Sequence, residues 1–155
     1  MKSGKALIIT DPCYIAKDDD WGKDFDYEEN VINLPEFTEY EWSNTGFGDG
    51  SFKVYELNEG TDPEEWIEKW VETDDTGKED LESNAKVLGE FCVDSGTFGV
   101  FILEEVFKYN PEFMKEVSSR CYCSIYGYDG PSIMYSDNQD NNHLIFKGNK
   151  TIVTI

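Results

Sequence analysis

The chain has 155 residues, with 33 Asp or Glu against 13 Lys or Arg, and a formal net charge of −20. At 15% aromatic residues it is too rich in large side chains for a disordered acidic chain. It is long enough for one domain with its own core, and too poor in cations to offer the basic patch that grips nucleic acid. One domain spanning residues 1–155 and no direct nucleic-acid binding are the first expectations.

Residues 5–10 read as a short strand that stops at Asp11-Pro12, because proline lacks a donor and forces its neighbour into extended geometry. The opening apolar run, Ala6 to Ile9, is too short for a signal-peptide core, and no stretch is long enough to span a bilayer. A cytoplasmic setting follows as an expectation, with Cys13, Cys92, Cys121 and Cys123 as reduced thiols and no membrane partner. Residues 16–38 scatter aromatics among carboxylates and read as a long ordered loop. Residues 39–44 and 51–57 read as a hairpin around Gly46, Gly48 and Gly50.

Thr61-Asp62-Pro63 opens a helix with Trp66, Ile67, Trp70 and Val71 on one face. Residues 73–84 read as a polar surface loop. A second hairpin is expected from 86–94 and 98–103 around Asp94-Ser95-Gly96-Thr97, then a short helix at 103–109, broken at Asn110-Pro111 and resumed at 112–116. Residues 117–126 alternate as a long strand, 131–135 make another, and 143–147 with 150–155 form a last hairpin whose Gly148-Asn149 loop suits a II′ turn. Short strands, glycine-containing turns and one good helix predict an α+β fold: a mostly antiparallel curled sheet or sandwich with one or two helices packed on it.

Three elements place an aspartate at a strand end or turn: Asp11-Pro12-Cys13-Tyr14, Gly48-Asp49-Gly50 and Val93-Asp94-Ser95-Gly96. Loops on a rigid scaffold aim functional side chains, but turn aspartates also accept backbone hydrogen bonds for purely structural reasons. Asp11, Cys13, Tyr14, Asp49, Asp94 and Ser95 are the ligand-binding candidates here. If Asp11, Asp49 and Asp94 converge, their oxygens suit a hard divalent cation. Together the three elements, over residues 7–103, resemble a loose group of small bacterial and phage proteins of uncharacterised function. The resemblance implies a microbial source and a cytoplasmic setting, and carries no catalytic residues.

A second candidate patch comes from the alternation after residue 117. It puts Arg120, the only arginine, on one strand face with Tyr122, Tyr126 and Tyr128, a set that would stack a planar ligand or hold an anion. Cys121 and Cys123 share the opposite face, yet structural zinc prefers wider spacers. The only histidine, His143, begins a strand after a polar loop and is expected at the surface. Asp18-Asp19-Asp20-Trp21-Gly22 fails as a calcium loop, since Lys17 and Trp21 fall where oxygen ligands belong. No metal site is assigned and no cofactor is expected.

The charge is concentrated: residues 1–80 carry 23 acids and 7 lysines, whereas residues 81–155 carry 10 acids and 6 bases. The leading expectation is a non-catalytic protein whose acidic surface engages a basic macromolecule, as an immunity protein or an inhibitor does. The alternatives are a small metal-assisted hydrolase using Asp11, Asp49 and Asp94, and a small-molecule binder using Arg120 and its tyrosine neighbours.

Overall fold

The structure, a computed structural model, describes residues 5–16, 25–26, 31–35, 37–44, 50–136 and 142–155. In chain order the elements are β1 (Leu7–Thr10), α1 (Pro12–Ile15), β2 (Phe25–Asp26), β3 (Val31–Ile32), β4 (Tyr40–Asn44), β5 (Gly50–Leu57), α2 (Pro63–Glu72) and α3 (Asp75–Ser83). They continue with β6 (Ala85–Val93), β7 (Thr97–Ile102), α4 (Leu103–Tyr109), α5 (Phe113–Glu116), a 3-10 turn (Ser119–Cys121), β8 (Tyr122–Ile125), β9 (Ser132–Ser136), β10 (Asn142–Lys147) and β11 (Thr151–Thr154). A four-stranded sheet runs β4-β7-β1-β8, a five-stranded sheet runs β6-β5-β11-β10-β9, and β2 pairs with β3. Every ladder among the described residues is antiparallel.

The α+β expectation holds, in its sandwich form. Leu7, Ile9, Phe98, Val100, Ile102, Cys123 and Ile125 of the four-stranded sheet pack against Val54, Phe91, Val93, Leu144, Phe146 and Ile152 of the five-stranded one. Period-two alternation then sends Ile8 and Phe101 outward, where Ile15 of α1, Val106 of α4 and Phe113 of α5 cover them. On the far side Tyr55, Leu57, Ile145 and Val153 point outward onto Trp66 and Ile67 of α2. Helices therefore cover both outer faces, rather than one or two helices lying on a single sheet. This is why β1 and β7 are apolar at consecutive positions: both faces of each are buried. No described helix is long and apolar enough to cross a membrane.

Four local expectations are corrected. Segments 39–44 and 51–57 are strands but not a hairpin: β4 pairs with β7, while β5 pairs with β6 and β11. Segments 86–94 and 98–103 likewise fall in different sheets, as β6 and β7. Glycine-containing turns reverse the chain without choosing the ladder, and the choice went to the arrangement that buries both sheet faces. Residues 73–84 hold a helix, α3, because Asp74 accepts from the Gly77 amide at 3.0 Å and Leu81 packs onto the α2 cluster. In the 117–126 segment the strand begins only at Tyr122. Ser118 accepts from the Arg120 amide and winds the preceding residues into the 3-10 turn.

The final hairpin is present, joined by the three residues 148–150. Gly148 does not take the positive φ of a II′ turn. It is small because a Cβ there would lie 1.9 Å from the Asp129 carbonyl oxygen. His143 is buried in β10, not exposed, with Nδ1 donating to the Thr154 carbonyl at 3.0 Å.

Candidate functional site at the sheet crossover

The chain passes from the five-stranded sheet to the four-stranded one through Asp94-Ser95-Gly96. Gly96 takes a φ of 73°, a left-handed conformation that favours glycine. The crossover lies against the end of β1, where Pro12 starts a single helical turn and Asp11 is its N-cap. Asp11 is fully buried. Its Oδ1 accepts from the Cys13 amide at 2.8 Å, and its Oδ2 from the amides of Asp94 at 2.8 Å and Ser95 at 2.6 Å. The Ser95 hydroxyl lies 2.7 and 2.8 Å from the two oxygens. A carboxylate so enclosed needs charge-assisted donors on both oxygens to offset its lost hydration, and it has them.

Around this latch stand Tyr14, Cys13, Cys92 and Cys121. The Tyr14 hydroxyl donates to Asp94 Oδ2 at 2.5 Å and lies 3.5 Å from Cys92 Sγ. Cys92 Sγ touches Cys121 Sγ at 2.7 Å, and the Cys121 carbonyl accepts from Thr10 Oγ1 at 2.7 Å. Burial, reinforced by the Asp11 carboxylate, holds the Cys13 thiol well above its ordinary range. Burial and the bond to Asp94 do the same for the Tyr14 phenol. Burial and the hydrogen bond with Cys92 push Cys121 up to about 11. At neutral pH Cys13 and Cys121 are therefore protonated thiols, poor nucleophiles and poor metal ligands.

Of the sequence candidates, Asp11, Cys13, Tyr14, Asp94 and Ser95 come together here, although 83 positions separate Asp11 from Asp94. Asp49 lies outside the described residues, as does the Asp18–Gly22 run. Asp11 has both oxygens occupied and no solvent access, so it serves the fold and is not open to a metal. Among the described residues no three His, Cys, Asp or Glu side chains gather as ligands.

The Arg120–tyrosine face does not form, because the strand it needs starts too late. Arg120 is exposed on the 3-10 turn. Tyr122 is half-buried with its ring 5.4 Å from that of Phe113, and Tyr126 is 64% exposed beyond the strand. Tyr128 is buried in the sheet-to-sheet core, its hydroxyl donating to the Pro131 carbonyl.

Sequence reasoning missed the contact of Cys92 with Cys121. No local signal reports it, since the two meet only through the sheet crossover. It also missed Glu105, a buried carboxylate that accepts from the Thr38 amide at 2.9 Å and hydroxyl at 2.6 Å and so ties the approach to β4 onto α4.

The other notable surface is the outer helical layer. Residues 59–83 hold eleven acids and two lysines. With Trp66 and Ile67 buried inward, Glu64, Glu65, Glu68 and Glu72 are exposed along α2, and Glu79 and Asp80 along α3. Lys69 pairs with Glu65 at 3.0 Å, and Lys78 lies over the Trp70 ring, 5.5 Å from its centroid. No protein-family model matches the sequence, and comparisons with curated proteins and with solved structures return no match.

Proposed function

We propose that the chain is a non-catalytic binding protein that engages a basic macromolecule, in the manner of an immunity protein or an inhibitor, through the acidic layer of α2 and α3. The observation that supports this reading is that the apolar side of these helices is consumed against β5, β10 and β11. The exposed side is left with a carboxylate stripe, Glu64, Glu68 and Glu72, at helical spacing and with few cations to neutralise it. Such a field speeds encounter with cationic surfaces and repels anionic ones. The latch around Asp11 holds the sandwich together rather than meeting a substrate.

The test is calorimetric titration against a panel of cationic nuclease domains, with poly-lysine as the non-specific control, at low salt and at about 0.15 M salt. One member should bind far more tightly than poly-lysine. A Glu64→Lys, Glu68→Lys, Glu72→Lys triple variant should weaken it about tenfold or more while circular dichroism stays unchanged. Equal weak binding to every cation, or no effect of the reversal, would overturn the reading.

A further inference from the structure

We propose that Cys92 and Cys121 form a redox-reversible disulfide that fastens the open edge of the sandwich. Neither sheet closes on the other: β6 is the edge of the five-stranded sheet, β8 the edge of the four-stranded one. Side chains of the shared core pack between these edges, and among the described residues no backbone ladder crosses between the sheets. Cys92 lies on β6 and Cys121 ends the turn that leads into β8, so a bond between the two sulfurs would tie these two edges together. At 2.7 Å they are in direct contact, and a bond needs about 2.05 Å.

The pair is also distinct from the packing thiol. Cys123 is buried in the sheet-to-sheet core, whereas Cys92 and Cys121 are half-buried and belong to no apolar cluster. Solvent-borne reagents reach half-buried sulfurs and do not reach Cys123.

The step is thiol–disulfide exchange with a small-molecule disulfide as oxidant. A thiolate of the pair attacks the reagent and releases one small thiol. The second protein thiolate then displaces the other, so the two protein thiols lose two protons and two electrons and the reagent becomes two thiols. Because burial and its partner keep Cys121 protonated up to about 11, closure is slow at neutral pH and quickens as pH approaches that value. That behaviour fits a structural clasp rather than a catalytic dithiol, whose attacking sulfur is ionised near neutrality. Cys13, near enough for its charge to couple with Cys121, is the competing partner.

The test equilibrates the purified protein with graded ratios of reduced and oxidised glutathione, then quenches, alkylates, digests and weighs the peptides. A mass loss of two hydrogens is expected, with one cross-linked pair joining Cys92 to Cys121, with Cys13 and Cys123 alkylated, and full reversal by reductant. Oxidation should raise the melting temperature by about 10 °C, and Cys92→Ser should remove both the cross-link and the shift. Four alkylated thiols in oxidising buffer, glutathione adducts in place of the cross-link, or a Cys13–Cys121 pair would each overturn the proposal. The wild-type peptide map decides it even if the serine variant fails to fold.

Discussion

Asp11 holds three chain segments at once: the start of α1, the crossover turn and, through that turn, the entrance to β7. Replacing it with alanine removes the acceptor and leaves the amides of Cys13, Asp94 and Ser95 without it at a partly buried site. Each stranded donor costs on the order of 1–3 kcal/mol, so Asp11→Ala should lose about 3 kcal/mol or more in urea denaturation. Ser95→Ala, which removes one donor and keeps the carboxylate served by three amides, should cost only about 1 kcal/mol. Similar losses for the two variants would show that the carboxylate is not the centre of the latch. Both elements are legible in the sequence because each places an aspartate at a strand end or turn. Their meeting was not legible, because nothing local encodes a contact across 83 positions.

The helices of the outer layer differ in how openly they announce themselves. α2 carries every signal: Asp62 accepts from the Glu64 amide at 3.0 Å, Pro63 occupies the first turn, and Trp66, Ile67, Trp70 and Val71 recur at helical spacing. α3 has a polar sequence and one apolar anchor, Leu81, so its helicity depends on the cap at Asp74 and on docking beside α2. Asp62→Ala should therefore cost about 1 kcal/mol without altering helix content. Asp74→Ala should cost a similar amount and also visibly reduce the far-ultraviolet helical signal as α3 frays. If Asp74→Ala leaves that signal intact, α3 is held by packing alone. The strands follow the same logic. β1 and β7 were readable as apolar runs, whereas their partners were not, because pairing is chosen by which faces the whole sandwich can bury.

For the molecule as a whole, two charge effects oppose one another. The net charge of −20 favours expansion, so moderate salt should raise the melting temperature by screening self-repulsion. The buried acids with high pKa set the alkaline limit. An unfolded thiol releases its proton near 9.0, but burial keeps Cys123 protonated to about 11 in the fold. Between those values the unfolded state binds fewer protons than the folded one, so this thiol's contribution to stability is constant below pH 9 and is lost from pH 9 to 11, a fall of about 3 kcal/mol. Tyr55 and Tyr128, each pushed by burial from 10.0 to about 12, carry the decline further. Urea midpoints measured across this range should show the fall, and Cys123→Ala, though less stable at neutral pH, should show a shallower one. A midpoint that is flat to pH 11 would rule out a protonated, buried Cys123.

The α+β class, the positions of most strands, the α2 helix with its cap, and the acidic bias of the first eighty residues were all readable from composition and periodicity. These properties depend on neighbours within a few positions, where sterics and the hydrophobic pattern act directly. The division of β4 from β5 and of β6 from β7 between two sheets, the burial of His143, the closure of the Asp11 latch and the contact of Cys92 with Cys121 were not. Each depends on segments far apart in sequence meeting in space, and that meeting is selected by the joint burial of both sheet faces, a property no single segment carries.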